Sequence, residues 1–414
     1  MGSEHPLIRT RLSVMMFLNF ALWAAWYVPV GGYMNTTLQF SGPQIGWIYA
    51  TTALGAMISP LFVGFIADRL FATERVLAVL HLIGALCLLA ASAQTTFPPL
   101  MALLVVNALC FMPTLALVNS VAFRNIDNPD KFSWIAVWGT IGWIVAVTLV
   151  DVLFGGAEQG RFFYLAGGTA IAMALYSLTL PHTPPKGKEA GGDVLGLGAI
   201  KLLKDPTFLI FALCAFLISI PLTFYFTWGV AFLGELGSKN ATALTSICQY
   251  SEIFVMLVMP WFIARIGLKN VLVVGMGAWA VRYLLFSTSI FPLVILGLLV
   301  HGFCYVFVFV ASFIYVDKRA PKELSASAQS FLAFLMWGVG MFVGTQLAGF
   351  TGEKYSVSEQ LHNWQPIWLW PAAVAAGVTV LFLIGGRDVK SEQQEAAPQE
   401  APAAEGGDGG GPLS

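Results

Sequence analysis

Apolar runs long enough to cross a bilayer recur from one end of this chain to the other, and nothing else in it limits the possible folds so strongly. A helix needs about 20 mostly apolar residues to traverse the hydrocarbon core, where only a helix or a closed barrel satisfies its own backbone. Between turn and charge punctuation the runs predict twelve spans, near residues 12–34, 44–67, 74–94, 97–123, 132–154, 161–181, 206–233, 241–264, 270–290, 292–316, 322–350 and 364–385. Charged residues make up 10% of the chain, where soluble domains carry about 25%. The fold class is therefore an all-α polytopic membrane protein. The first run is too long and too aromatic for a cleavable leader and is expected to remain as a span.

The longest polar stretch inside the chain, Pro181 to Asp205, separates the first six spans from the last six. The expected organisation is an N-terminal six-helix half over 1–181, a linker over 182–205, a C-terminal six-helix half over 206–386 and a disordered tail over 387–414. All lysines and arginines except Arg161, Lys239, Lys354 and the in-span Arg282 fall on one side of this arrangement. By the positive-inside rule that side is cytoplasmic, which predicts a multi-pass protein of the inner (cytoplasmic) membrane with both termini and the linker inside the cell.

One polar cluster interrupts the apolar pattern where its cost is greatest. Gln249-Tyr250-Ser251-Glu252 lies within the run Ala243 to Ile263, and Gln249 and Glu252, three apart, share a helix face. A carboxyl group at membrane depth is expensive unless it faces a partner or a water-filled cavity, so Glu252 marks a polar pathway through the bundle. His301 and Arg282 are also in spans. Arg282 is expected to snorkel or to pair structurally, and His81 to pack near a helix end.

Other function classes lack their signatures. No G-x-x-x-x-G-K-[ST] or H-E-x-x-H pattern is present, so neither ATP hydrolysis nor zinc-dependent enzyme chemistry is expected. The cysteines Cys87, Cys110, Cys214, Cys248 and Cys304 lie in apolar runs without metal-ligand spacing. No basic block points to nucleic acid. The chain is expected to be a monomer without cofactor or metal, in contact with membrane lipid and a small-molecule substrate.

The halves echo each other. Gly64-Phe65-Ile66-Ala67-Asp68-Arg69 follows the second span, and Pro260 through Lys269 stands at the matching place after the eighth. Paired six-helix halves are a common plan of secondary transporters. The first stretch resembles the G-x-x-x-D-R/K loop of the major facilitator superfamily without its trailing Gly and second basic pair. In that reading Asp68 and Arg69 are conformational gating residues.

Several stretches, in order and spread over nearly the whole chain, resemble the nucleoside:proton symporter family of that superfamily. They are Phe20 to Trp23 with Trp26, Gly32-Tyr33-Met34, Phe111 to Leu115, Trp138 to Gly142, Leu178 to His182, Gln249 with Ser251-Glu252, Gly267 with Lys269-Asn270-Val271, Ala326 to Gln329, and Trp364-Gln365 with Trp368-Leu369. The resemblance implies a major facilitator fold of twelve helices in two pseudo-symmetric six-helix halves. It also implies import of nucleosides by alternating access, coupled to protons. A central cavity would be lined by Thr140, Trp143, Gln249, Glu252, His301 and Tyr305, with Thr223 and Phe226 at seventh-span positions that are amides in a family member. Spacing is compatible, because Thr140 and Trp143 are three apart and His301 and Tyr305 four apart.

The chain departs from its relatives at two charged positions, carrying Ala136 where they have an arginine and Val306 where they have an aspartate. Their joint loss suggests a former pair, since losing one alone would strand a buried charge. Proton coupling then falls to Glu252, with His301 as the second candidate because imidazole titrates near neutrality. The sequence leaves open a facilitative uniporter, a carrier of another hydroxylated solute such as a sugar, and a receptor that binds a ligand without moving it.

Overall fold

The structure, a computed structural model, describes residues 6–128, 131–185, 193, 195–358 and 361–388, with all their side chains except those of residues 6 and 63–69. Twelve spans are present among them. Span one runs from Pro6–Tyr27 into Val30–Thr36, and spans two to six are Gly42–Arg69, Thr73–Ala91, Phe97–Arg124, Phe132–Phe154 and Phe162–Ser177. Span seven is Pro206–Glu235. Spans eight and nine form the continuous stretch Ser246–Ser287, broken at Gly267. Span ten is Phe291–Tyr305 continued to Arg319, span eleven runs from Ser325 to Lys354, and span twelve is Trp364–Gly385.

Local chemistry explains the interruptions. Gly267 turns the chain with φ 80° and ψ 161°, a backbone conformation that a Cβ disfavours. Pro29 lacks an amide hydrogen, and span one breaks there. Spans ten and eleven each relax into π-helical turns, Val306–Val310 and Phe334–Gly340. The sixth helix stops at Ser177, four residues short of the expected Pro181, and the amides of Leu178, Thr179 and Leu180 bond back three residues in a tightened exit turn. A small hairpin, Ser356–Ser358 with Leu361–His362, was not foreseen. The Glu235 carboxylate pins it by accepting from the His362 amide at 3.0 Å and from Trp364 Nε1 at 2.8 Å.

On the side away from the termini the two halves meet closely. Gly42 and Gly46 bring span two against Gly349 and Thr345 of span eleven, so tightly that a Cβ on Gly42 would stand 2.2 Å from the Gly349 carbonyl oxygen. Two carboxylates cross the joint. Glu353, at the end of span eleven, accepts from the Gly42 amide at 2.7 Å. Asp151, at the end of span five, accepts from the Ala243 amide at 2.6 Å, in the short turn Ala241–Leu244 that leads into span eight. Spans five and eleven hold matching places in the two halves, as do spans two and eight. Each half therefore sends one carboxylate to the start of a helix in the other.

On the side of the termini each end of the linker is tied to the half beside it. His182 Nδ1 lies 2.8 Å from Glu74, and Arg319 donates to Asp205 at 2.6 Å. The Arg319 guanidinium holds the Asp205 carboxyl below the usual carboxylate range. The side chains of Asp68 and Arg69, the middle of the linker and the chain beyond residue 388, with it nearly all of the expected tail, lie outside the described residues.

Candidate transport site

Spans eight, nine and ten build the polar centre. Ser251 donates to the Leu299 carbonyl and accepts from the Gly302 amide at 3.1 Å, which locks span eight to span ten. A Cβ on Gly302 would stand 2.4 Å from the Ser251 carbonyl oxygen, so the approach requires glycine. The neighbouring residue in each span then comes into contact: Glu252 Oε1 lies 2.9 Å from His301 Nε2. Gln249 Nε2 reaches the same oxygen at 3.4 Å, one turn earlier on the face the sequence indicated.

The other imidazole nitrogen, Nδ1 of His301, lies 2.5 Å from Nη1 of Arg282 in span nine. Arg282 is 0% exposed, so it does not snorkel. Its guanidinium carbon sits 4.1 Å from the Tyr225 ring centre, 5.1 Å from Phe286 and 5.3 Å from Trp279. A desolvated cation over aromatic faces gains about 2 kcal/mol per good contact, against a burial cost of several kcal/mol. Arg282 is the functional candidate that reading the sequence missed. Trp279 and Phe286, three residues before it and four after, mark an aromatic face around a lone in-span cation and were the available signal.

Trp143, Phe226 and Gln249 come together with Val28 and Tyr225 around a space of about 10 Å³, room for a single water. Its walls Trp143 and Phe226 pack in turn on Trp23 and Tyr27, with Trp23 and Trp143 edge to face at 5.3 Å and Tyr27 and Phe226 at 5.1 Å. On the termini side of Trp23 lies a cavity of about 420 Å³ between the halves, bordered by Trp23, Thr52, Asn119, Tyr305 and Trp337. Small-molecule sites fall roughly between 300 and 1,000 Å³. Trp23 Nε1 and Gln249 Oε1 are buried without hydrogen-bond partners, so each is free for a hydroxylated or amide-bearing solute.

The structure thus gathers Gln249, Glu252 and His301 at one centre, sets Tyr305 beside it with rings 5.9 Å apart, and puts Trp143 and Phe226 in the adjoining wall. Thr223 and Thr140 fall elsewhere. The Thr223 hydroxyl donates to its own helix at Ile220 and packs against Gly344, while Thr140 borders neither of these two spaces. Asn119 borders the larger cavity. His81 is buried in the middle of span three, not near its end, with its ring against Phe111.

Comparison with known proteins bears on the family and the fold. The sequence model of the family described as "Nucleoside H+ symporter" matches residues 7–391. The Escherichia coli (strain K12) protein YegT is 39% identical over 402 residues, covering 92% of this chain and 94% of its own. The xanthosine permease of the same organism is 33% identical over 401 residues, covering 91% and 96%. Among solved structures, the crystal structure of the nucleoside transporter NupG superposes with a TM-score of 0.84 at 29% identity, covering 91% of this chain and 98% of that one.

Proposed function

The chain belongs to the nucleoside H+ symporter family and has its major facilitator fold, and from that premise we propose that it imports nucleosides together with protons by alternating access. The observation that carries this reading is Glu252, joined to Gln249 and His301 within the C-terminal half, where Gln249 faces Trp143 of the other half and Tyr305 borders the larger cavity. A nucleoside is neutral, planar at one end and hydroxylated at the other. Trp143, Phe226 and Tyr305 offer ring faces to the base, and Gln249 and Glu252 offer donors and acceptors to the ribose hydroxyls. Thr140 and Thr223 are at most supports of this wall.

In this reading the termini and the linker are cytoplasmic, the halves cover 1–181 and 206–386, and the 420 Å³ cavity is the inner route of release. Substrate and proton enter from the opposite side, where Asp151 and Glu353 then close the joint. Asp68 and Arg69 tie the halves on the inner side in the other state. Glu252 takes the proton outside and yields it inside, and the protein works as a monomer.

The test is uptake of labelled uridine, adenosine and a control sugar into liposomes holding the purified protein, with and without an inward proton gradient. Nucleoside accumulation only with the gradient is expected. Equilibration indifferent to the gradient would make the protein a uniporter, sugar uptake alone would change the substrate, and binding without any movement would leave a receptor.

A further inference from the structure

The polar centre contains a permanent cation sealed from solvent. Arg282 is wholly enclosed by Tyr225, Trp279, Tyr283 and Phe286, and among the described residues no carboxylate lies within ion-pair distance of it. Its one close polar partner is a ring nitrogen, His301 Nδ1, at 2.5 Å. Arg282 Nη2 also points at Cys248 Sγ, 3.8 Å away.

A guanidinium has no acceptor and does not lose its proton in a protein. It can only donate to His301 Nδ1, which must therefore present its lone pair. The single ring proton is then on Nε2, the nitrogen that lies 2.9 Å from Glu252 Oε1. We propose that Arg282 is a positioning residue for proton coupling: it holds His301 as the neutral Nε2–H ring, so that Glu252 alone of this pair takes up and releases the coupled proton. The proposal rests on the reading of Glu252 as proton carrier, and it removes His301 from that role.

The balance is simple. With Glu252 ionised, Arg282 cancels its charge and the three-residue group is neutral. With Glu252 protonated, the group carries one positive charge and the ring is still neutral. A second proton on His301 would have to enter at Nδ1, against the guanidinium. The other titratable groups facing this assembly are the phenols of Tyr225, Tyr283 and Tyr305 and the thiols of Cys248 and Cys304, all neutral at physiological pH in their ordinary forms.

The test reads the ring directly. The protein labelled with ¹⁵N-histidine is reconstituted in lipid and examined by solid-state NMR between pH 5 and pH 8, with the His301 signals assigned by their loss in His301→Gln. His301 is expected to stay neutral with Nε2 protonated across that window, to gain a titration step within it in Arg282→Gln, and to recover neutrality in Arg282→Lys. A merely structural arginine would disturb folding without giving His301 a titration step. Protonation of His301 in the unmodified protein within the window, or an Nδ1–H tautomer, would overturn the proposal even if the Arg282 variants fail to fold. Proton-independent nucleoside uptake would overturn the coupling reading while leaving the ring assignment standing, so the two failures are distinct.

Discussion

The two carboxylates that cross the joint away from the termini make a quantitative test possible. Asp151→Asn keeps an acceptor for the Ala243 amide but removes the charge that strengthens the bond, and Asp151 is 8% exposed. Hydrogen bonds to charged groups contribute about 1.5–3 kcal/mol and neutral ones about 1, so this change costs the closed joint about 1 to 1.5 kcal/mol. Glu353→Gln acts on a more exposed group, which lowers its share to about 0.5 kcal/mol. The two contacts share no partners, so their effects should add to about 1.5–2 kcal/mol. That shifts the ratio of closed to open joint by roughly 10- to 30-fold.

A cysteine replacing Thr245 reports on the shift. Thr245 is 3% exposed and borders the small space beside Gln249, so a membrane-impermeant thiol reagent applied from the side away from the termini reaches it only when the joint opens. Labelling in Thr245→Cys should accelerate about five- to tenfold with Asp151→Asn, about twofold with Glu353→Gln and by more than tenfold with both. The same protein without Thr245→Cys controls for the native cysteines. Unchanged labelling in the folded double variant would refute the idea that these bonds hold the joint shut.

Glu252→Gln should abolish stimulation of uptake by an inward proton gradient while leaving nucleoside exchange measurable; undiminished gradient-driven uptake would remove Glu252 from the mechanism. The Asp205 carboxyl, held below its ordinary range by Arg319, stabilises the fold above the unfolded carboxyl value near 3.9, and that contribution is lost as pH falls through the lower folded value. Because the pair is about a third exposed, Asp205→Asn should cost only about 0.5 kcal/mol at pH 7. The difference in thermal midpoint between it and the parent protein should vanish in strong acid.

How much was legible in advance depended on the range of the interaction. The spans were readable because hydrophobic length is a local property, and even the broken helix of spans eight and nine was anticipated by the charged and glycine-bearing stretch Arg265 to Lys269. Glu252 and Gln249 were readable because a carboxyl at that depth has few bland explanations. Arg282 was not, because its role depends on His301, 19 residues away and in another helix. The joint carboxylates were missed for the same reason. Asp151 and Glu353 sit near span ends, where acids are ordinary, and only the packing of Gly42 and Ala243 gives them partners 311 and 92 residues away. The small hairpin near Glu235 is likewise held by side chains distant in sequence.

The absent charges at positions 136 and 306 give a last test of how this site balances its ions. Val306 is 0% exposed, in the turn where span ten becomes π-helical, one residue beyond Tyr305. An aspartate placed there alone meets a site whose cation, Arg282, is already directed to His301. An uncompensated buried charge of this kind costs on the order of 3–5 kcal/mol. Val306→Asp should therefore fall well below the parent in thermal midpoint, and adding Ala136→Arg should recover much of the loss if the two positions act as a pair. The double variant being no more stable than Val306→Asp would refute the pairing. Val306→Asp alone being as stable as the parent would show that the seat is already supplied with water or a counter-charge, and the argument that both charges had to be lost together would fail.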